Sequence, residues 1–271
     1  MTRWEALQLL RSDAPVLQPG HVWLAGAGPG DPGLLTLDAA AGLLQADAIV
    51  HDALVDARVL ALAHEGAQLE FAGKRGGRPS AQQADISQRL IELALAGKRV
   101  LRLKGGDPYM FGRAGEETLA LAAAGVPFRV ISGVTAALAA LAAAAIPATM
   151  RGVNRSIIFT TGQSAEAREA DDWAALARTG QPLVIYMALH NLGSIAAALI
   201  AGGLSSETPA ALIVSATRAD QEVLVSTLAR IAKEAQAHGL EPPAIAVVGE
   251  IVAERQRLRA MLQLVAAESS M

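Results

Sequence analysis

Arg113 and Glu116 stand three residues apart in GRAGEE, a spacing that sets both side chains on one face of a helical turn, where they pair or converge on a substrate. Just upstream, LKGGDP places Gly105, Gly106 and Asp107 where a strand-like run meets a helix-like one. Two glycines there let a ligand approach the main chain, and Asp107 can accept hydrogen bonds. Earlier, in GAGPGDPGLLTLDAA (26–40), Gly28, Gly30 and Gly33 match G-x-G-x-x-G, with Asp52 near the place of a ribose-binding acid. Pro29 and Pro32 count against a dinucleotide, because each removes an N–H that a pyrophosphate would need. The five histidines lack ligand spacing, and His51 and His190 read as strand-end or cap residues. With no cysteine, thiolate metal sites, disulfides and cysteine nucleophiles are excluded, and no metal is expected.

These residues need elements to hold them. The runs at 21–28, 48–52, 68–73, 99–107 and 128–133 read as five strands, most ending at Gly or Asp. Helical patterns fall between them at 36–46, with Thr36 as N-cap, and at 54–64, 81–96, 115–124 and 134–145. Strand–helix alternation predicts right-handed crossovers and a mainly parallel sheet covered on both faces. After IPATMRGVNRS the runs at 156–162, 183–188, 210–216, 222–228 and 244–250 read as five more strands. The short link between the third and fourth favours an antiparallel pair, hence a mixed sheet. The expected organisation is an N-terminal arm (1–20), an N-terminal α/β domain (21–152) and a C-terminal α/β domain (153–271).

Composition narrows the partners. The chain of 271 residues carries a net charge of −3, which gives no global basic field for nucleic acid, so an anionic ligand must meet a local cluster of cations. It has 58 alanines and nine aromatics, so its apolar mass is small side chains suited to close packing of helices on sheets. Mean hydropathy of +0.33 makes membrane spans worth testing. The uncharged stretches at 130–150 and 181–206 fail that test, one being mostly alanine with Pro147, the other broken by His190, Asn191 and glycines. The N-terminus has no signal pattern, and a soluble cytoplasmic protein is expected.

GAGPGDPGLLTLDA, HDALV (51–55), LKGGDPYMFGRAGEE (103–117), SGVTAALAA (132–140) and PAIAVVGE (243–250) occur in one order over about 20–260. In this the chain resembles the tetrapyrrole methylase family, and GGDPYMFGRAGEE and IPATMRG resemble its members that act on uroporphyrinogen III. The resemblance implies two α/β domains with the active site in the cleft between them, a homodimer, and S-adenosylmethionine held largely by main-chain groups, leaving S-adenosylhomocysteine as product. It implies cofactor contacts at Pro29, Gly105, Gly106, Asp107, Thr135, Ala136, Met187, Ala216 and Ala244, and substrate contacts at Arg113, Arg151 and Met187. The implied reaction is methylation of two ring carbons in succession, giving precorrin-2 for siroheme- or cobalamin-type biosynthesis. The family would make Arg113 the proton acceptor. A guanidinium is too weak a base for that, so we read Arg113 as an electrostatic anchor, with Glu116 or Asp52 taking part in proton transfer. Lys74, Arg75 and Arg78 would add a basic rim. His51 and Met150 stand where the family commonly has tyrosine and histidine. The rival readings are a later precorrin or a diphthamide intermediate as acceptor, a nicotinamide-dependent oxidoreductase, and a non-catalytic binding protein.

Overall fold

In the computed structural model the described residues are 15–72, 83–163 and 173–268. Most of the expected arm, and Lys74, Arg75 and Arg78, lie outside them. Two compact units divide the chain at Ala136 and Ala137.

The first unit is built on β1 (Val22–Gly26), α1 (Leu37–Gln45), β2 (Ala48–His51), α2 (Ala57–Leu60), β3 (Gln68–Phe71), α3 (Gln83–Leu95), β4 (Val100–Lys104), α4 (Ala114–Ala123) and β5 (Phe128–Ile131). Its strands pair in the order β3-β2-β4-β1-β5, and every pairing is parallel. Alternate residues of β1 face opposite cores. Trp23 and Ala25 pack with Leu43 of α1 and Val59 of α2, while Val22 and Leu24 pack with Leu90 of α3 and Leu121 of α4. The helices following β1 and β4, which are neighbours, therefore lie on opposite faces. That arrangement opens a crevice at the carboxyl ends of these two strands, the usual ligand edge of a parallel α/β sheet.

Thr36 caps α1, its Oγ1 accepting from Ala39 N at 3.3 Å. The helix expected over 54–64 is reduced to α2, because local side chains compete for the backbone. Asp52 accepts from Leu54 N, Asp56 from Arg58 N, and His64 Nδ1 from Gly66 N. At the opposite end of the sheet Asp47 accepts from Arg99 N at 2.8 Å and from Arg99 Nη2 at 2.6 Å. Those hydrogen bonds hold the Asp47 carboxyl at about 2, against its ordinary 3.8. A depressed carboxylate pKa stabilises the fold above the unfolded value and is lost as pH falls toward the folded one. Asp47→Asn should therefore show a constant stability deficit above about pH 4 that closes between about pH 4 and pH 2. Urea midpoints of parent and variant at several pH values check this, and a gap that does not narrow on acidification would contradict it.

The second unit takes in nearly all of α5 (Ala136–Ala143), then β6 (Ile158–Thr161), α6 (Trp173–Arg178), β7 (Leu183–Tyr186), α7 (Leu192–Ala201), β8 (Pro209–Val214), β9 (Glu222–Thr227), α8 (Ile231–Ala237), β10 (Ala244–Val248) and α9 (Ile251–Glu268). Its order is β6-β7-β10-β8-β9, with β6 and β7 parallel and the other pairs antiparallel. The sheet is mixed, as the spacing predicts, and β8 and β9 form the antiparallel pair. The packing division falls before the composition change near 150–155, since α5 is tied into this unit. Tyr186 Oη accepts from Ala137 N at 3.2 Å, and Ala143 and Ala144 accept from Gln221 and Arg255. No helix among the described residues is long and apolar enough to cross a membrane.

Candidate active site

Because all five strands of the first sheet run the same way, the loops that follow β1, β2, β4 and β5 share one edge. Those loops carry Pro29, Asp52, Gly105, Gly106, Asp107, Thr135 and Ala136. They are knitted together by the main chain. Gly28 and Gly106 exchange two hydrogen bonds, at 3.2 and 2.7 Å. Asp107 accepts from Gly133 N at 3.0 Å and from its own turn at Tyr109 N at 2.9 Å. Asp52 accepts from Leu54 N at 3.0 Å and, at 3.4 Å, from Gly105 N.

The closeness of these loops depends on absent side chains. A Cβ on Gly26 would lie 2.4 Å from Gly106 O, one on Gly133 2.2 Å from the same oxygen, and one on Gly105 2.6 Å from Leu54 Cβ. Gly26 and Gly133 are close-approach positions that the motifs did not single out; the signal was a glycine at the carboxyl end of adjacent strands in GAGPG and ISGV. Asp31 caps a single 3-10 turn at Pro32–Leu34, so the glycine-rich loop does not lead straight into a helix N-terminus as a pyrophosphate site requires.

Arg113 is the residue before α4 and has left-handed backbone, φ 58°, with Phe111 at φ 53° two residues earlier. Such angles cost about 1–3 kcal/mol each in non-glycine residues and gather where function fixes a side chain. Arg113 Nε and Nη2 donate to the two Glu116 oxygens, both at 2.8 Å, in the bidentate fork that the three-residue spacing predicts. The side chains are 59% and 54% exposed, so the fork is presented to solvent. Each partner holds the other charged: the hydrogen bond from Arg113 lowers the Glu116 carboxyl below its ordinary 4.5, and the one to Glu116 raises the Arg113 guanidinium. An arginine so held is a cation and not a base, and Glu116 paired in this way is a poor proton acceptor.

In the second unit, Met187 follows β7, Ala216 lies two residues beyond β8, and Ala244 begins β10. Since β10 lies between β7 and β8 and runs opposite to both, its first residue shares an edge with the ends of its neighbours, Ala244 facing Val214 and Ile245 facing Tyr186. Three residues separated by 57 positions of chain thus meet on one sheet edge. Met187 has φ 53°, and Ser215 and Thr217, on either side of Ala216, have φ 47° and 68°. Main-chain strain therefore concentrates at this edge too. Beside it is a cavity of about 270 Å³ lined by Gln163, Met187, Leu189, His190, Asn191, Pro242 and Ala244. Its mixed lining, with a half-exposed thioether, suits an uncharged heterocycle more than a phosphate. Arg151 lies exposed in the turn at 151–153.

The family model described as Tetrapyrrole (Corrin/Porphyrin) Methylases matches residues 21–232. A protein of Sinorhizobium sp. named uroporphyrinogen-III C-methyltransferase is 55% identical over 255 residues, which cover 93% of this chain and 90% of that protein. Siroheme synthase 1 of Yersinia enterocolitica is 49% identical over 233 residues, 86% of this chain, and the match spans 49% of that longer protein. Among solved structures, a uroporphyrin-III C-methyl transferase from Thermus thermophilus complexed with S-adenyl homocysteine superposes with a TM-score of 0.73 at 36% identity, covering 86% of this chain and 99% of that one.

Proposed function

The chain belongs to the tetrapyrrole methylase family, and from that premise we propose that it is an S-adenosylmethionine-dependent enzyme that methylates two ring carbons of uroporphyrinogen III in succession, giving precorrin-2. The fold is shared by methylases of several acceptors and cannot by itself choose among them. The observation that carries the acceptor is the match, over nine-tenths of both lengths, to the Sinorhizobium enzyme. The siroheme synthases, about half of whose length the chain spans, support a siroheme- or cobalamin-type pathway. A homodimer acting in the cytoplasm completes the reading.

S-adenosylmethionine, when bound, supplies an electrophilic methyl on a sulfonium whose C–S electrons leave with the sulfur. The residues present suit it. Gly105, Gly106 and Asp107, with Pro29, Thr135 and Ala136, bring main chain rather than bulky side chains to the edge where the loops after β1, β4 and β5 meet. Met187 and Ala244 line a cavity of a size for a nucleoside, and Ala216 lies on the same sheet edge. Neither set provides the phosphate cradle that a nicotinamide dinucleotide would need.

The remaining tasks belong to the chain. A pyrrole is an enamine, so its ring carbon needs no activation beyond alignment with the methyl and protection from water. Arg113 and Arg151 would each grip a carboxylate of the octacarboxylate substrate, with Met187 against the macrocycle. On engagement the Arg113 guanidinium exchanges part of its Glu116 fork for the substrate's carboxylate. Once the new C–C bond forms, a proton must leave the ring. Arg113 stabilises the charge that moves there, and Asp52, which forms no ion pair among the described residues, is the carboxylate better suited to take the proton. Incubating the pure chain with uroporphyrinogen III and methyl-labelled S-adenosylmethionine should put two labels into each tetrapyrrole. Label appearing only with a later precorrin as acceptor, or with none, would overturn the reading.

A further inference from the structure

Directly beneath the Arg113–Glu116 fork lies a buried charge cluster that the reaction described above does not use. Strand β4 carries Arg102 and Lys104 on one face, two apart, and their side chains are 3% and 5% exposed. Both turn to Glu117, which is fully buried in the first turn of α4. Glu117 Oε1 accepts from Arg102 Nε at 3.1 Å, Lys104 Nζ at 3.0 Å and Gln83 Nε2 of α3 at 2.9 Å. Its second oxygen, Oε2, has no partner among the described residues. Arg102 also donates to the carbonyls of Val50 and Leu103, so it is fastened to the sheet.

A cluster of two cations on one carboxylate is a poor way to gain stability, since desolvation offsets most of the attraction and an apolar replacement would often serve as well. Its geometry serves another end. Glu116 and Glu117 are successive residues about 100° apart on the helix, so one points out to Arg113 while the other points in to β4. The inward contacts fasten the first turn of α4 to the strand on which Gly105, Gly106 and Asp107 follow. The loop between them passes near Lys104, whose Cε lies 3.3 Å from where a Cβ on Gly112 would be. Arg113 leaves that loop in left-handed backbone with no side-chain cap of its own. Its direction is therefore set by what holds the residues on either side.

We propose that Glu117, gripped by Arg102 and Lys104, is a positioning residue that fixes the first turn of α4 against β4 and thereby aims the Arg113 guanidinium at the substrate. The inference rests on the functional reading for its catalytic part, while its structural part stands alone. An error of about 1 Å in aim can cost about a hundredfold in rate.

The test is a double-mutant cycle together with amide hydrogen exchange. Glu117→Gln keeps the shape of the side chain and removes its charge. It should raise exchange at amides 113–118 by about tenfold or more with the strands of the first unit unchanged, and lower kcat/KM for the tetrapyrrole by roughly 10- to 100-fold with S-adenosylhomocysteine affinity within about twofold. In an Arg113→Lys background the same change should cost less than about threefold, because the aim of the guanidinium is already lost. Equal losses in the two backgrounds, or unchanged protection of 113–118, would overturn the proposal. If Glu117→Gln does not fold, Lys104→Met, which leaves a neutral Arg102–Glu117 pair, is judged by the same readouts. A parent chain that transfers no methyl to uroporphyrinogen III would refute the functional reading, and the exchange arm would still decide whether Glu117 pins the turn.

Discussion

Arg113→Lys should leave S-adenosylhomocysteine affinity within about twofold of the parent and lower tetrapyrrole methylation by roughly 100- to 1000-fold, the scale on which loss of one preorganised charged contact acts. The two residues carry the same charge, and the backbone at position 113 is left-handed for either, so folding does not separate them. What differs is the fork. Arginine uses Nε and Nη2 together on Glu116, each at 2.8 Å, and a planar guanidinium can transfer the same geometry to a substrate carboxylate. An ammonium on a flexible stem grips one oxygen at a time and does not fix the plane of the macrocycle. Stability should change little, because both side chains are more than half exposed and such a pair contributes about 0–1 kcal/mol. Calorimetric titration with S-adenosylhomocysteine and steady-state kinetics on uroporphyrinogen III separate the two effects. A lysine variant with parental turnover would mean that position 113 supplies only charge.

Much of this architecture is legible in the residues. Every expected strand is present within a few positions, because strands buried on both faces read as short apolar runs that stop at Gly or Asp, as AIVHD and RVLRLKGGD do. Thr36 and the β8–β9 pairing were visible for local reasons, one a capping geometry, the other a link too short for a crossover. The convergence of Met187, Ala216 and Ala244 was not visible in spacing, since it depends on β10 entering between β7 and β8. Family likeness supplied those positions before the topology explained them. Glu117 was missed for a different reason. The three-residue spacing drew attention to Glu116 and passed over its neighbour, although the two cations at alternate positions of a strand buried on both faces already required an anion opposite them.

Gly133→Ala should be the most destructive single-methyl change in the first unit, costing roughly 3–5 kcal/mol in folding and abolishing S-adenosylhomocysteine binding. The added Cβ would sit 2.2 Å from Gly106 O and 2.8 Å from Gly26 Cα. Overpacking is usually relieved by a side chain changing rotamer, at about 1–3 kcal/mol, but every atom here is main chain in a neighbouring strand or loop. To make room, the loop after β5 must part from the loops after β1 and β4. That separation strains the Asp107 to Gly133 N hydrogen bond and moves Thr135 and Ala136 from the edge. Gly125→Ala is the control. Gly125 has φ 67° and nothing within 4 Å of its would-be Cβ, so it isolates the left-handed backbone penalty, about 1–2 kcal/mol. In urea the midpoint of Gly133→Ala should fall well below that of Gly125→Ala, and only the former should lose the ligand. Equal midpoints would mean that the three loops tolerate separation. In that case the crowding of glycines at this edge would serve only to leave its main chain open to the cofactor.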